Sequence, residues 1–121
     1  VKVIAIPGAS AVVSALSISG FPTSDFLFLG FLPHKKGRET LFKEISESER
    51  TVVFYESPHR FIKTIESLIK FTPDRQIAVC REMTKVFEEV VKGTPSEIMA
   101  YYTGNKDKIK GEFVVIVSAL V

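Results

Sequence analysis

The stretch TVVFYESPHR, residues 51 to 60, contains the change of structure that decides the fold. Its first half is dense in β-branched and aromatic residues, which favour a strand. Ser57 can then cap a helix, and Pro58 suits the first helical position, where the N–H that proline lacks would have no partner in any case. A strand is thus predicted to run directly into a helix, with an acid, an imidazole and a guanidinium at the junction.

Strand-like and helix-like segments alternate along the rest of the chain, which is the pattern of an α/β fold. Strands are predicted at residues 3–6, 26–32, 51–55, 77–80 and 113–117, and helices at 10–19, 37–46, from 57 onward and from the capping box Thr94-Pro-Ser-Glu97. Residues 86–91 fit either a hairpin strand or a short helix. The last strand is apolar on both faces, which favours a central position. We predict a single three-layer αβα domain over residues 1–121, with a mixed sheet of about five strands.

The composition is that of an ordinary globular protein, with 45% hydrophobic and 25% charged residues among 121. The 16 basic and 14 acidic residues leave a net charge of +2, which argues against a surface that coats nucleic acid everywhere but allows a local basic patch. The apolar runs are far shorter than the ~18 residues of a membrane span. Because Cys80 is the only cysteine, no internal disulfide can form, and a reducing, cytoplasmic location fits.

The chain has no initiator methionine and begins inside an apolar stretch, Val1-Lys-Val-Ile-Ala-Ile. We interpret it as a piece of a longer protein, cut close to a domain boundary. No repeat or low-complexity segment is visible in the sequence.

Polar groups follow the predicted strands at their ends, where ligands of α/β sheets bind. Glu56 would be costly if buried without a partner. His59 and Arg60 lie in a first helical turn, where a cation gains nothing from the helix dipole. A helix cap, with a surface His-Arg that pairs with an acid, explains these residues as well as a functional site does, so both interpretations stay open.

Two further turns have the same character. Pro7-Gly8-Ala9-Ser10 is a turn of small residues that lets backbone approach a ligand, although plain turn-and-cap geometry also explains it. The sequence Arg81-Glu82-Met83-Thr84-Lys85 places charges, a methionine and a hydroxyl after a strand. Methionine is an adaptable wall for a flat ligand, but it also fills cores.

The loop His34-Lys35-Lys36-Gly37-Arg38 concentrates positive charge, either as a phosphate-contacting patch or as a solvated connection. Lys106, Lys108 and Lys110 form a second, looser cluster. No metal site is predicted, because two histidines and one cysteine lack ligand spacing.

Together these segments resemble a known family. The segments that carry the resemblance are PGASAVVSALSISGFP, FLFLGFLPHKKGRE, TVVFYESPHRF, CREMTKVFEEVVKGTPSE and KGEFVVIV. They are similar to the C-terminal half of the ribosomal RNA small subunit methyltransferase I family, the 2′-O-ribose methylating branch of the tetrapyrrole methylase superfamily. FYESPHR, and REMTK followed by FEE and KGT, are specific to that branch, whereas PGASA and the closing strand are shared across the superfamily.

The resemblance implies a two-domain enzyme that binds S-adenosylmethionine between its domains, with this chain as the second domain. The glycine-rich loop and DPG-type turn of the family's first domain do not occur here. The implied cofactor-binding residues are Pro7, Gly8, Ala9, Ser10, Tyr55, Glu56, Met83, Thr84, Gly111 and Glu112. The implied substrate is a cytidine of small-subunit ribosomal RNA, and the implied assembly is a homodimer.

For catalysis, the resemblance points to the polar groups at the strand ends. Arg60 or Lys85 would stabilise the ribose alkoxide, and Glu56 or Glu82 would orient or accept the proton. The residues expected to contact RNA are His34, Lys35, Lys36, Arg38, His59 and Lys85.

Two alternatives remain. The chain could belong to an enzyme that methylates a tetrapyrrole or a modified protein residue. The basic loop and the FYESPHR motif argue against this alternative. It could also be only a dimerisation and RNA-docking module, and we expect no turnover from the isolated chain.

Overall fold

The computed structural model describes residues 15, 19 to 21, 26 to 83 and 86 to 119. The predicted strand at 3–6 and nearly all of the predicted helix at 10–19 lie outside these residues. Ala15 and Ser19, which are described, are both helical.

Five strands form one sheet in the described part of the chain. They are β1 (Phe26–Phe31), β2 (Thr51–Glu56), β3 (Ile77–Met83), β4 (Val86–Gly93) and β5 (Glu112–Val117), in the spatial order β1-β2-β5-β3-β4. β1 and β2 are parallel, β5 is antiparallel to both β2 and β3, and β3 and β4 form a hairpin. The mixed sheet is therefore as predicted, and β5 is central.

The segment at residues 86–91, which the sequence left open as strand or helix, is part of the strand β4. It pairs along β3 from Ile77 opposite Gly93 to Met83 opposite Val86, with a bulge between Arg81 and Glu82. A helix in this segment would leave the backbone groups of β3 unpaired on that side, whereas the hairpin satisfies them.

Within residues 26–83 and 86–119, three α-helices follow strands: α1 (Arg38–Glu47), α2 (Pro58–Phe71) and α3 (Pro95–Thr103), with a 3₁₀ turn at Lys106–Lys108. The capping box of α3 is confirmed, because the Thr94 hydroxyl accepts the Glu97 N–H and the Glu97 carboxylate accepts the Thr94 N–H at 2.8 Å. At α2, Ser57 occupies the cap position and Pro58 the first turn, as predicted. The Ser57 hydroxyl makes no capping hydrogen bond, however.

The sheet is buried on both faces because apolar residues fill both sides of each central strand. On one face Phe54 and Phe113 pack under α2, where the Phe61 ring stacks on Phe113 with centroids 4.1 Å apart. On the other face Val53 and Cys80 pack with Ala15, which is helical. Helical residues thus lie on both faces of the sheet in the described part of the chain.

The directions of the strands bring several of their ends to one edge. β1, β2 and β3 finish there and β5 begins there, since β1 is parallel to β2, and β5 is antiparallel to β2 and β3. At this edge Phe31 pairs with Tyr55, Glu56 with Phe113, and Glu82 with Glu112. We call it the strand-end edge; the turns that follow position 56 and precede position 113 meet here.

Candidate functional site

Glu56 lies at the strand-end edge with its carboxylate on the α2 face of the sheet, and it is only 1% exposed. Its Oε2 accepts the Ser57 N–H at 3.0 Å, and its Oε1 accepts the Thr64 hydroxyl. The Arg60 Nε lies 3.7 Å from Oε2. These donors offset the penalty of burying a carboxylate. Glu56 is thus held inside the domain by α2.

Arg38 belongs to the same network. Its Nη2 donates to the Thr64 hydroxyl at 2.9 Å and its Nη1 to the Pro33 carbonyl at 3.2 Å. The guanidinium also lies over the Phe42 ring, 4.9 Å from the centroid. Arg38 was predicted to contact RNA, but much of its hydrogen-bonding capacity is used within the protein.

The other predicted RNA-contacting side chains in the described region are exposed. His34, Lys35 and Lys36 lie in the loop between β1 and α1, residues 32 to 37, which we call the basic loop. His59 is exposed in the first turn of α2. Because the basic loop follows the end of β1 and α2 follows the end of β2, these exposed side chains flank the strand-end edge.

Tyr55, Glu82 and Glu112 occupy the opposite face of the sheet from Glu56, since neighbouring residues of a strand point to opposite sides. Burial raises the pKa of the Tyr55 phenol, and the negative charges of Glu82 and Glu112 raise it further. The three side chains are therefore near one another. Tyr55 and Glu56 therefore lie on opposite faces of the sheet at the strand-end edge, although both were predicted to face the cofactor.

Two phenylalanines of β1 surround the Tyr55 ring. The ring centroids of Phe28 and Phe31 each lie 5.3 Å from that of Tyr55. Phe28 is 39% and Phe31 57% exposed. The Tyr55 face of the edge is therefore bordered by accessible aromatic surface, with carboxylates beside it.

A second polar network, which the sequence did not reveal, is centred on Glu89 in β4. Its carboxylate accepts the Tyr101 hydroxyl, the Tyr102 hydroxyl at 3.2 Å and the Lys108 ammonium at 3.2 Å. Arg81 Nε lies 3.8 Å away. Burial alone would raise the pKa of Glu89, but these hydrogen bonds and the Lys108 charge lower it overall. The sequence offers only an acidic pair, Glu88-Glu89, between apolar residues, in a segment whose secondary structure it left open.

The remaining predicted site residues fall partly within the described part of the chain. Pro7, Gly8, Ala9, Ser10, Thr84 and Lys85 lie outside the described residues. Met83 ends β3 at the strand-end edge. Gly111, which directly precedes β5, has a φ of +76°, a backbone conformation that favours glycine.

Within the described ranges, no three His, Cys, Asp or Glu side chains come together as ligands for a metal ion. Of the helices in the same part of the chain, none is long and apolar enough to cross a membrane.

Residues 1–99 match the sequence model of the tetrapyrrole (corrin/porphyrin) methylases. That match covers most of the 121 residues, and the chain belongs to this family.

Curated relatives narrow the similarity. The chain is 44% identical over 118 residues to ribosomal RNA small subunit methyltransferase I of Halalkalibacterium halodurans, covering 97% of this chain and 40% of that protein. It is 40% identical to the protein of the same name from Thermotoga maritima, covering 98% of this chain and 52% of the relative. The Bacillus subtilis relative of that name is 40% identical over 116 residues, with 95% and 39% covered. The chain thus spans about half or less of the length of these relatives.

Solved structures share the fold. Cobalt precorrin-4 methyltransferase, a cobalamin biosynthetic enzyme, superimposes with a TM-score of 0.63 at 13% identity, covering 89% of this chain and 48% of that one. The methyltransferase CobJ gives a TM-score of 0.61 at 19% identity, with 89% and 47% covered. Identities this low are informative about the fold alone.

Proposed function

We propose that this chain is one domain of an S-adenosylmethionine-dependent methyltransferase that modifies the ribose 2′-hydroxyl of a cytidine in small-subunit ribosomal RNA. Relatives of about 40% identity carry the name of a ribosomal RNA methyltransferase. Because the chain matches only 39% to 52% of their lengths, a further domain completes the enzyme in this proposal. A homodimer and a cytoplasmic location stay predictions of the same proposal.

The observation that carries the proposal is the arrangement at the strand-end edge. One side presents Tyr55 with the carboxylates Glu82 and Glu112, and exposed cations flank the same edge. The Glu112 carboxylate can accept hydrogen bonds from the hydroxyl and amino groups of an adenosyl cofactor, while exposed lysines attract RNA phosphates. The strand-end edge therefore carries groups suited to bind both the cofactor and the RNA of an RNA methyltransferase.

The residues fit half of a cofactor site. Tyr55 and Glu112 would hold the cofactor from the sheet, and Gly111 would let the backbone approach it closely. Pro7, Gly8, Ala9, Ser10, Met83 and Thr84 are proposed as further contacts from the family resemblance. S-adenosylmethionine supplies an electrophilic methyl group when bound.

The two carboxylates proposed for catalysis differ in access. Glu82 is partly exposed on the Tyr55 face, so its carboxylate is available to accept or orient the proton of a substrate hydroxyl. Glu56 is buried with its oxygens already hydrogen-bonded. A positioning role for Glu56 therefore fits better than proton transfer. Arg60, half-buried beside it, remains a candidate cation for the alkoxide.

Competition tests the substrate class. The full-length enzyme would be given labelled S-adenosylmethionine with unmodified small ribosomal subunits and an excess of a porphyrinoid, and the label in each would be measured. We expect label in the subunits, in an amount that the porphyrinoid does not reduce. Label in the porphyrinoid alone would favour a small-molecule methyltransferase.

Single variants test the assigned roles. Glu82→Ala and Arg60→Ala should each lower kcat about tenfold or more, because removal of a group acting in the transition state has effects of this size. Cofactor affinity, measured separately by calorimetry, should change little. If neither rate falls, both assignments are wrong.

A further inference from the structure

We infer that Thr64, in the middle of α2, is a positioning residue that fixes the basic loop by joining Arg38 to the buried carboxylate of Glu56. The inference deepens the proposed function and rests on it for the role of the loop in RNA binding. No motif in the sequence pointed to Thr64.

The chemistry of the three groups makes a hydroxyl the suitable link. A carboxylate only accepts hydrogen bonds and a guanidinium only donates them, whereas a hydroxyl does both. The Thr64 hydroxyl donates to Glu56 Oε1 and accepts from Arg38 Nη2 at 2.9 Å. Thr64 is completely buried, so water does not compete readily for these bonds.

Arg38 carries the link into the basic loop. The second terminal nitrogen of its guanidinium donates to the carbonyl of Pro33 at 3.2 Å. The backbone N–H of Arg38 donates to the carbonyl of Lys35 at 3.1 Å. One guanidinium therefore ties the beginning of the loop to the start of α1, with Lys36 exposed between the tied points.

This arrangement gives the loop a fixed frame. Glu56 is itself anchored by the Ser57 N–H and by Arg60. The frame runs from the end of β2 through α2 to α1, and the exposed side chains of Lys35 and Lys36 lie outside it. Fixing a loop before binding reduces the conformational entropy lost on association, so the link should favour RNA affinity rather than the chemical step.

The matched variants Thr64→Val and Thr64→Ser test this in the full-length enzyme. Valine keeps the shape but removes the hydroxyl, whereas serine restores it. With Thr64→Val we expect KM for unmodified small ribosomal subunits to rise about fivefold to tenfold, within the range typical of losing one intramolecular hydrogen bond. We expect kcat and cofactor Kd to stay within about twofold, since Thr64 touches no reacting group. Thr64→Ser should behave like the wild type.

Trypsin gives a readout that does not depend on RNA. Cleavage after Lys35 or Lys36 should be faster in Thr64→Val than in Thr64→Ser, because a loosened loop enters the protease more readily. Faster cleavage with unchanged RNA affinity would uphold the anchoring but overturn the RNA-binding role of the loop. Unchanged cleavage with unchanged KM would overturn the inference, as would a loss of kcat alone.

Arg38→Lys covers the case in which Thr64→Val does not fold. Lysine keeps the charge but lacks the planar fork that reaches both Thr64 and Pro33. We expect the same rise in KM and the same faster cleavage from this variant. Wild-type values for both would show that Arg38 acts by charge alone and would overturn the inference.

Discussion

Two carboxylates, those of Glu56 and Glu89, are each held by several donors and illustrate how single residues stabilise this domain. The lowered pKa of Glu89 makes its contribution depend on pH, since the unfolded chain binds the proton more readily than the folded one. Stability from Glu89 is therefore complete above its ordinary pKa of 4.5 and is lost as pH falls through the lower value of the folded state.

Glu89→Gln tests this linkage. Urea unfolding of both proteins between pH 3 and pH 7 should give a stability difference that is constant above about pH 5.5 and shrinks on acidification. A difference that stays constant throughout, or grows at low pH, would contradict the partners assigned to Glu89.

Cys80 is expected to be inert for a physical reason. Burial raises the pKa of its thiol to about 12, against a smaller lowering by Lys92. At pH 8 hardly any reactive thiolate is present. A disulfide reagent should modify Cys80 about a hundredfold or more slowly in the native protein than in urea. Equal rates would show that the thiol is accessible.

At the scale of elements, the capping box of α3 gives a local prediction. Thr94→Ala removes the hydroxyl that accepts the Glu97 N–H, so the free energy of unfolding should fall by about 1 kcal/mol. Thr94→Ser keeps the acceptor and is the control, measured by the same urea titration. An alanine variant as stable as the serine variant would mean that the cap contributes nothing.

The basic loop gives a second prediction at this scale. Lys35→Gln and Lys36→Gln in the full-length enzyme should weaken RNA binding and make it less dependent on salt. The slope of log K against log salt should become shallower by about 1 for each RNA phosphate that the protein no longer neutralises. Lys92→Gln is the matched control, because Lys92 is exposed near the end of β4 that lies away from the strand-end edge. If the control lowers the slope equally, the effect comes from net charge.

Sequence predicted these elements well where the pattern is local. The strands at 26–32 and 113–117 and the capping box at Thr94 follow from periodicity and cap residues, and each is present in the structure. The sequence did not predict that β4 is a strand, because its hairpin pairing with β3, and not its own residue pattern, determines its secondary structure.

The candidate site was predictable only in part. The sequence predicted that Glu56 and Glu82 follow strands, whereas both lie within the ends of β2 and β3, which run further than predicted. Partners such as Thr64 and Arg38 are 26 residues apart in the chain and meet only through tertiary packing. Tyr55 and Glu56 point to opposite faces because neighbouring residues of a strand alternate. The family resemblance alone assigned both residues to the cofactor.

At the scale of the whole molecule, the central sheet serves two purposes through its two faces. The face under α2 holds Glu56 and the supports of the basic loop, while the other face presents Tyr55, Glu82 and Glu112. We propose that cofactor and RNA meet at the strand-end edge between these faces, with the rest of the enzyme closing over it.

Label mapping with the full-length enzyme tests this account most directly. Labelled S-adenosylmethionine would be incubated with unmodified small ribosomal subunits, and the labelled atom located by nuclease digestion and mass spectrometry. The account predicts label on the ribose 2′-oxygen of a single cytidine. Label on a base, or no transfer to RNA while the cofactor still binds, would contradict it.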